Sequence, residues 1–84
     1  MAPISYDDAL ARNLALIEQV CKKRADENSR FIDDLELDSV DLVGLISEME
    51  DEFGVIVPED KLHSLRTVGD ATRCICELAR ENVA

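Results

Sequence analysis

Ser39 is the hydroxyl whose surroundings most suggest chemistry. It stands between Asp38 and Val40 in FIDDLELDSVDLVGLISEMEDEF, residues 31–53, a stretch with nine acidic side chains and no basic one. A serine nucleophile needs a base within hydrogen-bond reach and a third group to orient that base. The sequence holds a single histidine, His63, placed beyond the next helix with no evident orienting partner. The residues therefore argue against catalysis by this chain alone. Two readings of Ser39 remain: a plain helix-capping residue, or a serine that reacts only inside another enzyme's active site. Asp38 already makes a good N-cap, with Asp41 three residues on to complete a capping box. Ser39 has Leu42 at that third position, which favours the second reading.

The other candidate chemistry is weaker. A calcium loop needs a glycine at its sixth position and a glutamate at its twelfth, and DDLELDSVDLVG has neither. Cys21, Cys74 and Cys76 are an odd set with no metal-ligand spacing and no disulfide framework. They read as small buried or half-buried apolar groups in a reducing compartment.

The elements that must position Ser39 follow from apolar spacing. Residues 5–24 read as a first helix, capped by Ser5 and Asp8, with Leu10, Leu14, Ile17 and Cys21 on one face. Lys22, Lys23 and Arg24 are expected to close its last turn, where cations suit the helix dipole. Residues 25–37 lack a helical period, so they form a long loop, pinned by Phe31, Ile32, Leu35 and Leu37. A second helix starts at Asp38 or Ser39 and runs to Phe53, with a stripe of Leu42, Ile46, Met49 and Phe53 and Leu45 beside it. Gly54 ends it as a left-handed residue. Pro58, Glu59 and Asp60 open a brief third helix reaching about His63. Thr67 and Asp70 cap a last helix whose buried stripe is Val68, Ala71, Ile75 and Leu78. The expected fold is all-α: three long helices, one short helix, and a long loop between the first and second.

Composition sets limits on this picture. The chain has 84 residues, enough for one domain, 1–84, with one modest core. Aromatics are 4% and Trp is absent, so that core is aliphatic. The formal net charge of −10 repels nucleic-acid phosphate and anionic membrane, and favours encounter with basic protein surfaces. No apolar run approaches the ~20 residues of a membrane span, and the first residues lack the basic and apolar regions of a signal peptide. The expected location is cytoplasmic, as a monomer.

Residues 31–71 carry a resemblance. An apolar-acidic loop leads to Asp-Ser plus an aliphatic residue, and then to an acidic helix ending in Glu-Phe. VIVPED, a short helix and TVGD follow. In that order the segments resemble the acyl carrier protein family, and the preceding helix fits in length and position. The resemblance implies that Ser39 carries a covalent 4′-phosphopantetheine arm, taken from coenzyme A by a separate Mg²⁺-dependent phosphopantetheinyl transferase. The arm's thiol would hold acyl groups as thioesters, so the chain would be a carrier without enzymatic activity. It would serve fatty-acid, polyketide or related specialised lipid biosynthesis. Asp38, Val40, Asp41, Val43, Glu48, Glu50 and Asp51 would face partners such as acyl-transferring and ketoacyl synthase-type enzymes with basic patches, whereas Glu52 reads as a solvated helix acid. Leu42, Leu45, Ile46 and Met49 would line an acyl-chain pocket. Peptidyl or aminoacyl carriers and a small helical adaptor without a prosthetic group are the alternatives. Gly44, Ser47 and Glu36 depart from the family pattern, which implies a smaller partner surface and a specialised pathway.

Overall fold

A computed structural model describes residues 4–81. Its elements are α1 (Tyr6–Cys21), α2 (Ser39–Phe53), α3 (Glu59–Leu62) and α4 (Val68–Glu81), with no strand among the described residues. The expected three long helices, one short helix and long loop are all present.

Caps explain most boundaries. Ser5 accepts the backbone N–H of Asp8 at the start of α1, and Thr67 accepts that of Asp70 at the start of α4. Gly54 closes α2 at φ 66°, its N–H donating to the Glu50 carbonyl. One boundary differs from expectation. α1 stops at Cys21 because Lys22 turns left-handed, φ 60°, and donates its N–H back to the Glu18 carbonyl. Lys22, Lys23 and Arg24 thus lie past the helix, and no cation occupies its last turn. Lys23 is used elsewhere, as its ammonium donates to the Leu35 carbonyl at 2.7 Å.

The buried faces also shift. α1 buries Ala9, Asn13 and Ile17, while Leu10, Leu14 and Cys21 are only half-buried. The helix packs chiefly on α4, and a buried polar pair sets its rotation: Asn13 Nδ2 donates to Thr72 Oγ1 at 2.9 Å. α4 buries a wider face than the expected stripe, adding Gly69, Thr72, Cys74 and Cys76, because α1, α2 and the loop all pack around it.

The long loop is an anchored strap. Phe31 and Leu35 are buried in the core and Leu37 is half-buried, but Ile32 is 51% exposed and does not pin anything. Phe31 alone contributes about 1.5–3 kcal/mol by burial. Backbone bonds reinforce it: Phe31 N–H donates to the Arg66 carbonyl, Val68 N–H to that of Ser29, and Gly69 N–H to that of Glu27. Gly69 permits this approach, since a Cβ there would lie 3.1 Å from the Glu27 carbonyl oxygen.

Candidate functional site

The anchored strap delivers the chain to Asp38 in a fixed direction. Leu37 N–H donates to the Phe31 carbonyl, closing the strap on itself. Glu36 makes the final turn with φ 58°, a left-handed conformation that costs a non-glycine residue about 1–2 kcal/mol. Lys23 holds that turn through the Leu35 carbonyl and through the Glu36 carboxylate at 3.2 Å. The chain then enters α2 through a reciprocal capping box. Asp38 Oδ1 accepts the Asp41 N–H at 2.7 Å, and Asp41 Oδ2 accepts the Asp38 N–H at 3.4 Å.

Ser39 is the first helical residue and is exposed. The cap belongs to Asp38, and no hydrogen bond occupies Ser39 Oγ among the described residues. Beside it opens a groove of about 510 Å³. Its apolar lining comes from Leu42 and Val43 of α2, Leu62 of α3, and Leu65 and Ile32. Arg30, Asp33, His63 and Arg66 supply the charged and polar part.

Much of this groove was not visible in the sequence. Ile32, Leu65 and Arg66 come from segments far apart in the chain. The available signal was the apolar Ile32 and Leu62 flanking the polar ends of a loop and a short helix. His63 does come round to share the groove with Ser39, yet no hydrogen bond joins the two among the described residues. Nothing in this geometry activates the hydroxyl.

The acids divide by their contacts. Asp38 and Asp41 are exposed but occupied with each other's backbone. Glu50 turns inward, where its Oε2 accepts the Val57 N–H at 2.7 Å and ties down the segment after Gly54. Glu48, Asp51 and Glu52 are exposed and unpaired among the described residues. Val40, 77% exposed, and Val43 add an apolar strip to this acidic face. Leu42 lines the groove, whereas Leu45, Ile46 and Met49 sit in the core behind it.

The three thiols are free, and each is held toward its neutral form. Burial pushes the Cys21, Cys74 and Cys76 thiols up from their ordinary range, away from the thiolate form. Among the described residues no group of acids, cysteines and histidine could hold a metal ion.

The site suits a phosphate ester on a flexible arm. The hydroxyl is exposed and unengaged, and it sits at a helix N-terminus, where negative charge is favoured. An apolar floor with a cation at its edge lies alongside.

Comparison with known proteins agrees with that chemistry. Residues 14–75 match the family described as the phosphopantetheine attachment site. Over 57 residues the chain is 46% identical to an acyl carrier protein of Lactobacillus acidophilus, covering 68% of this chain and 71% of that one. Over 83 residues it is 35% identical to the meromycolate extension acyl carrier protein of Mycobacterium tuberculosis, covering 95% of this chain and 72% of its relative. The fold superposes on a crystal structure of an acyl carrier protein from Thermotoga maritima with a TM-score of 0.77. That pair shares 23% identity and covers 90% of this chain and 92% of the other. The chain belongs to the acyl carrier protein family, and its cofactor is covalent 4′-phosphopantetheine.

Proposed function

We propose that this acyl carrier protein holds its arm on Ser39 Oγ. The observation that carries the assignment is an exposed serine without a hydrogen-bond partner among the described residues, fixed as the first residue of a helix that its neighbour Asp38 caps. In the loading reaction Ser39 Oγ bonds to the phosphorus that bears the pantetheine of coenzyme A. The pyrophosphate P–O bond breaks, and adenosine 3′,5′-bisphosphate leaves. The serine proton passes to a base of the transferase, because no base among the described residues hydrogen-bonds to Ser39. When bound, the arm supplies a thiol that carries acyl groups as thioesters.

The face around Ser39 is the docking surface in this proposal. Asp38, Asp41, Glu48 and Asp51 present charge to basic patches on the transferase and on acyl-transferring and ketoacyl synthase-type enzymes, with Val40 and Val43 as the apolar contact. Exposed ion pairs are worth only ~0.2–1 kcal/mol each, so successive partners exchange quickly. Glu50 contributes to this surface indirectly, by its bond to Val57. Leu42 stands at the entrance for cargo, with Leu45, Ile46 and Met49 as the apolar wall behind it. The relatives' names support a place in lipid biosynthesis, and the departures at Gly44 and Ser47 support a specialised set of partners.

The test is loading. Apo-protein with coenzyme A, Mg²⁺ and a broad-specificity phosphopantetheinyl transferase should gain one phosphopantetheine, mapping by mass to the peptide with Ser39. Ser39→Ala should remain unmodified and keep a wild-type helical spectrum, since Asp38 still caps α2. Modification of Ser39→Ala, or of any other residue, would overturn the assignment.

A further inference from the structure

The groove beside Ser39 carries a cation that the loading chemistry leaves unexplained. Residues 31–60 contain eleven acids and no Lys or Arg, yet Arg66 lines the same groove as Ser39. Its backbone is fixed on both sides. The Arg66 N–H donates to Asp70 Oδ2 at 3.2 Å, and its carbonyl accepts the Phe31 N–H at 2.9 Å.

The nearby acids are committed elsewhere. Asp70 takes the backbone N–H groups of Arg66 and Thr67, and its other oxygen pairs with Arg73 at 2.6 Å. Asp33 shares the groove, but Arg30 already faces it at 3.4 Å and faces Asp34 at 3.6 Å. Among the described residues Arg66 makes no ion pair, and its side chain is exposed. An uncompensated guanidinium in so acidic a region marks a place for an anion.

We propose that Arg66 is a positioning residue for the prosthetic arm, pairing with the phosphodiester at Ser39 and laying the arm along the groove. The inference rests on attachment at Ser39. Given that attachment, the phosphodiester lies one bond from an oxygen on the groove's rim, and it carries a permanent negative charge. A guanidinium presents a planar fork of donors that matches two phosphate oxygens, and it stays charged at every working pH. The pair is exposed and therefore weak, so a partner enzyme can draw the arm out of the groove without a large penalty.

The experiment compares the thermal stability of apo and fully loaded protein, with loading verified by mass, in the wild type and in Arg66→Gln. Loading should raise the wild-type Tm by about 1–5 °C at low salt, and 0.5 M KCl should remove most of that gain. Arg66→Gln should load to the same mass and show no gain, while Arg66→Lys should keep part of it. The difference between apo and loaded forms is read within each variant, so a general loss of stability does not mimic the effect. The ³¹P resonance of the loaded wild type should move on adding salt, and that of Arg66→Gln should not. Equal gains in wild type and Arg66→Gln, both loaded, would overturn the role of Arg66 and leave Ser39 standing. A wild type that takes no arm at Ser39 would overturn both.

Discussion

At the scale of single residues, Asp70 links the fold to the site. Burial pushes its carboxyl up, but the N–H groups of Thr67 and Arg66, together with Arg73 and the Thr67 hydroxyl, outweigh this and hold it below its usual value. A lowered native pKa means stability that is present above the unfolded value of about 3.9 and is lost as pH falls through the native one. Asp70→Asn should therefore destabilise the protein at pH 7 by about 0.5–2 kcal/mol, the range for a lost cap. The gap to wild type should shrink below about pH 4 in urea melts; a gap independent of pH would refute the charged-cap account. Asn13 and Thr72 make a second case. Thr72→Val strips the buried Asn13 amide of its acceptor, at a cost of about 1–3 kcal/mol. Asn13 Oδ1 has no partner among the described residues, so Asn13→Leu combined with Thr72→Val should cost less than the two single changes summed.

At the scale of elements, one glycine inside α2 and the glycine that ends it should respond in opposite directions. Gly44 is an exposed position inside the helix, and an added Cβ would meet nothing within 4 Å. Gly44→Ala should stabilise the protein by about 1 kcal/mol, the difference in helix propensity. Gly54 also has open space around it, but its φ is +66°. Gly54→Ala should cost about 1–2 kcal/mol through backbone strain alone. Chemical denaturation of the two variants separates conformational cost from packing cost, because neither substitution creates a clash. Gly44→Ala also bears on function, since it adds only a methyl group to the surface next to Val40 and Val43. If loading slows in that variant while stability rises, the flat face itself matters to partners.

At the scale of the whole molecule, charge dominates. A formal charge of −10 sits on a body with a radius of gyration of 11.9 Å, close to the Debye length of about 10 Å at 0.1 M salt. Most of the charges therefore feel one another at low ionic strength. The eleven acids of residues 31–60 find few cations, mainly Lys23 and Arg30 reaching over from the strap. Tm should rise with KCl and rise further with millimolar Mg²⁺. A Tm flat across 10–500 mM KCl would show that self-repulsion is unimportant to folding. The same field draws basic partner surfaces, so encounter rates should fall as stability climbs.

The sequence by itself determined that there are four helices, the N-terminal caps of the three long ones and the position of Ser39 at the start of α2. Each of those follows from local rules: apolar spacing, a Ser, Asp or Thr at the N-cap, and, for α2, a glycine at the C-terminal turn. It also determined which stretch is acidic, because charge is read directly from composition. Only the tertiary structure decided that α1 turns Asn13 inward toward Thr72, since two polar residues 59 apart in the chain can satisfy each other only after docking. It alone exposed Ile32, took Glu50 into the fold through Val57, and stopped α1 at a left-handed Lys22. It alone brought Arg66 to the groove of Ser39, because that neighbourhood is made by the strap pairing with the start of α4 rather than by any spacing along the chain.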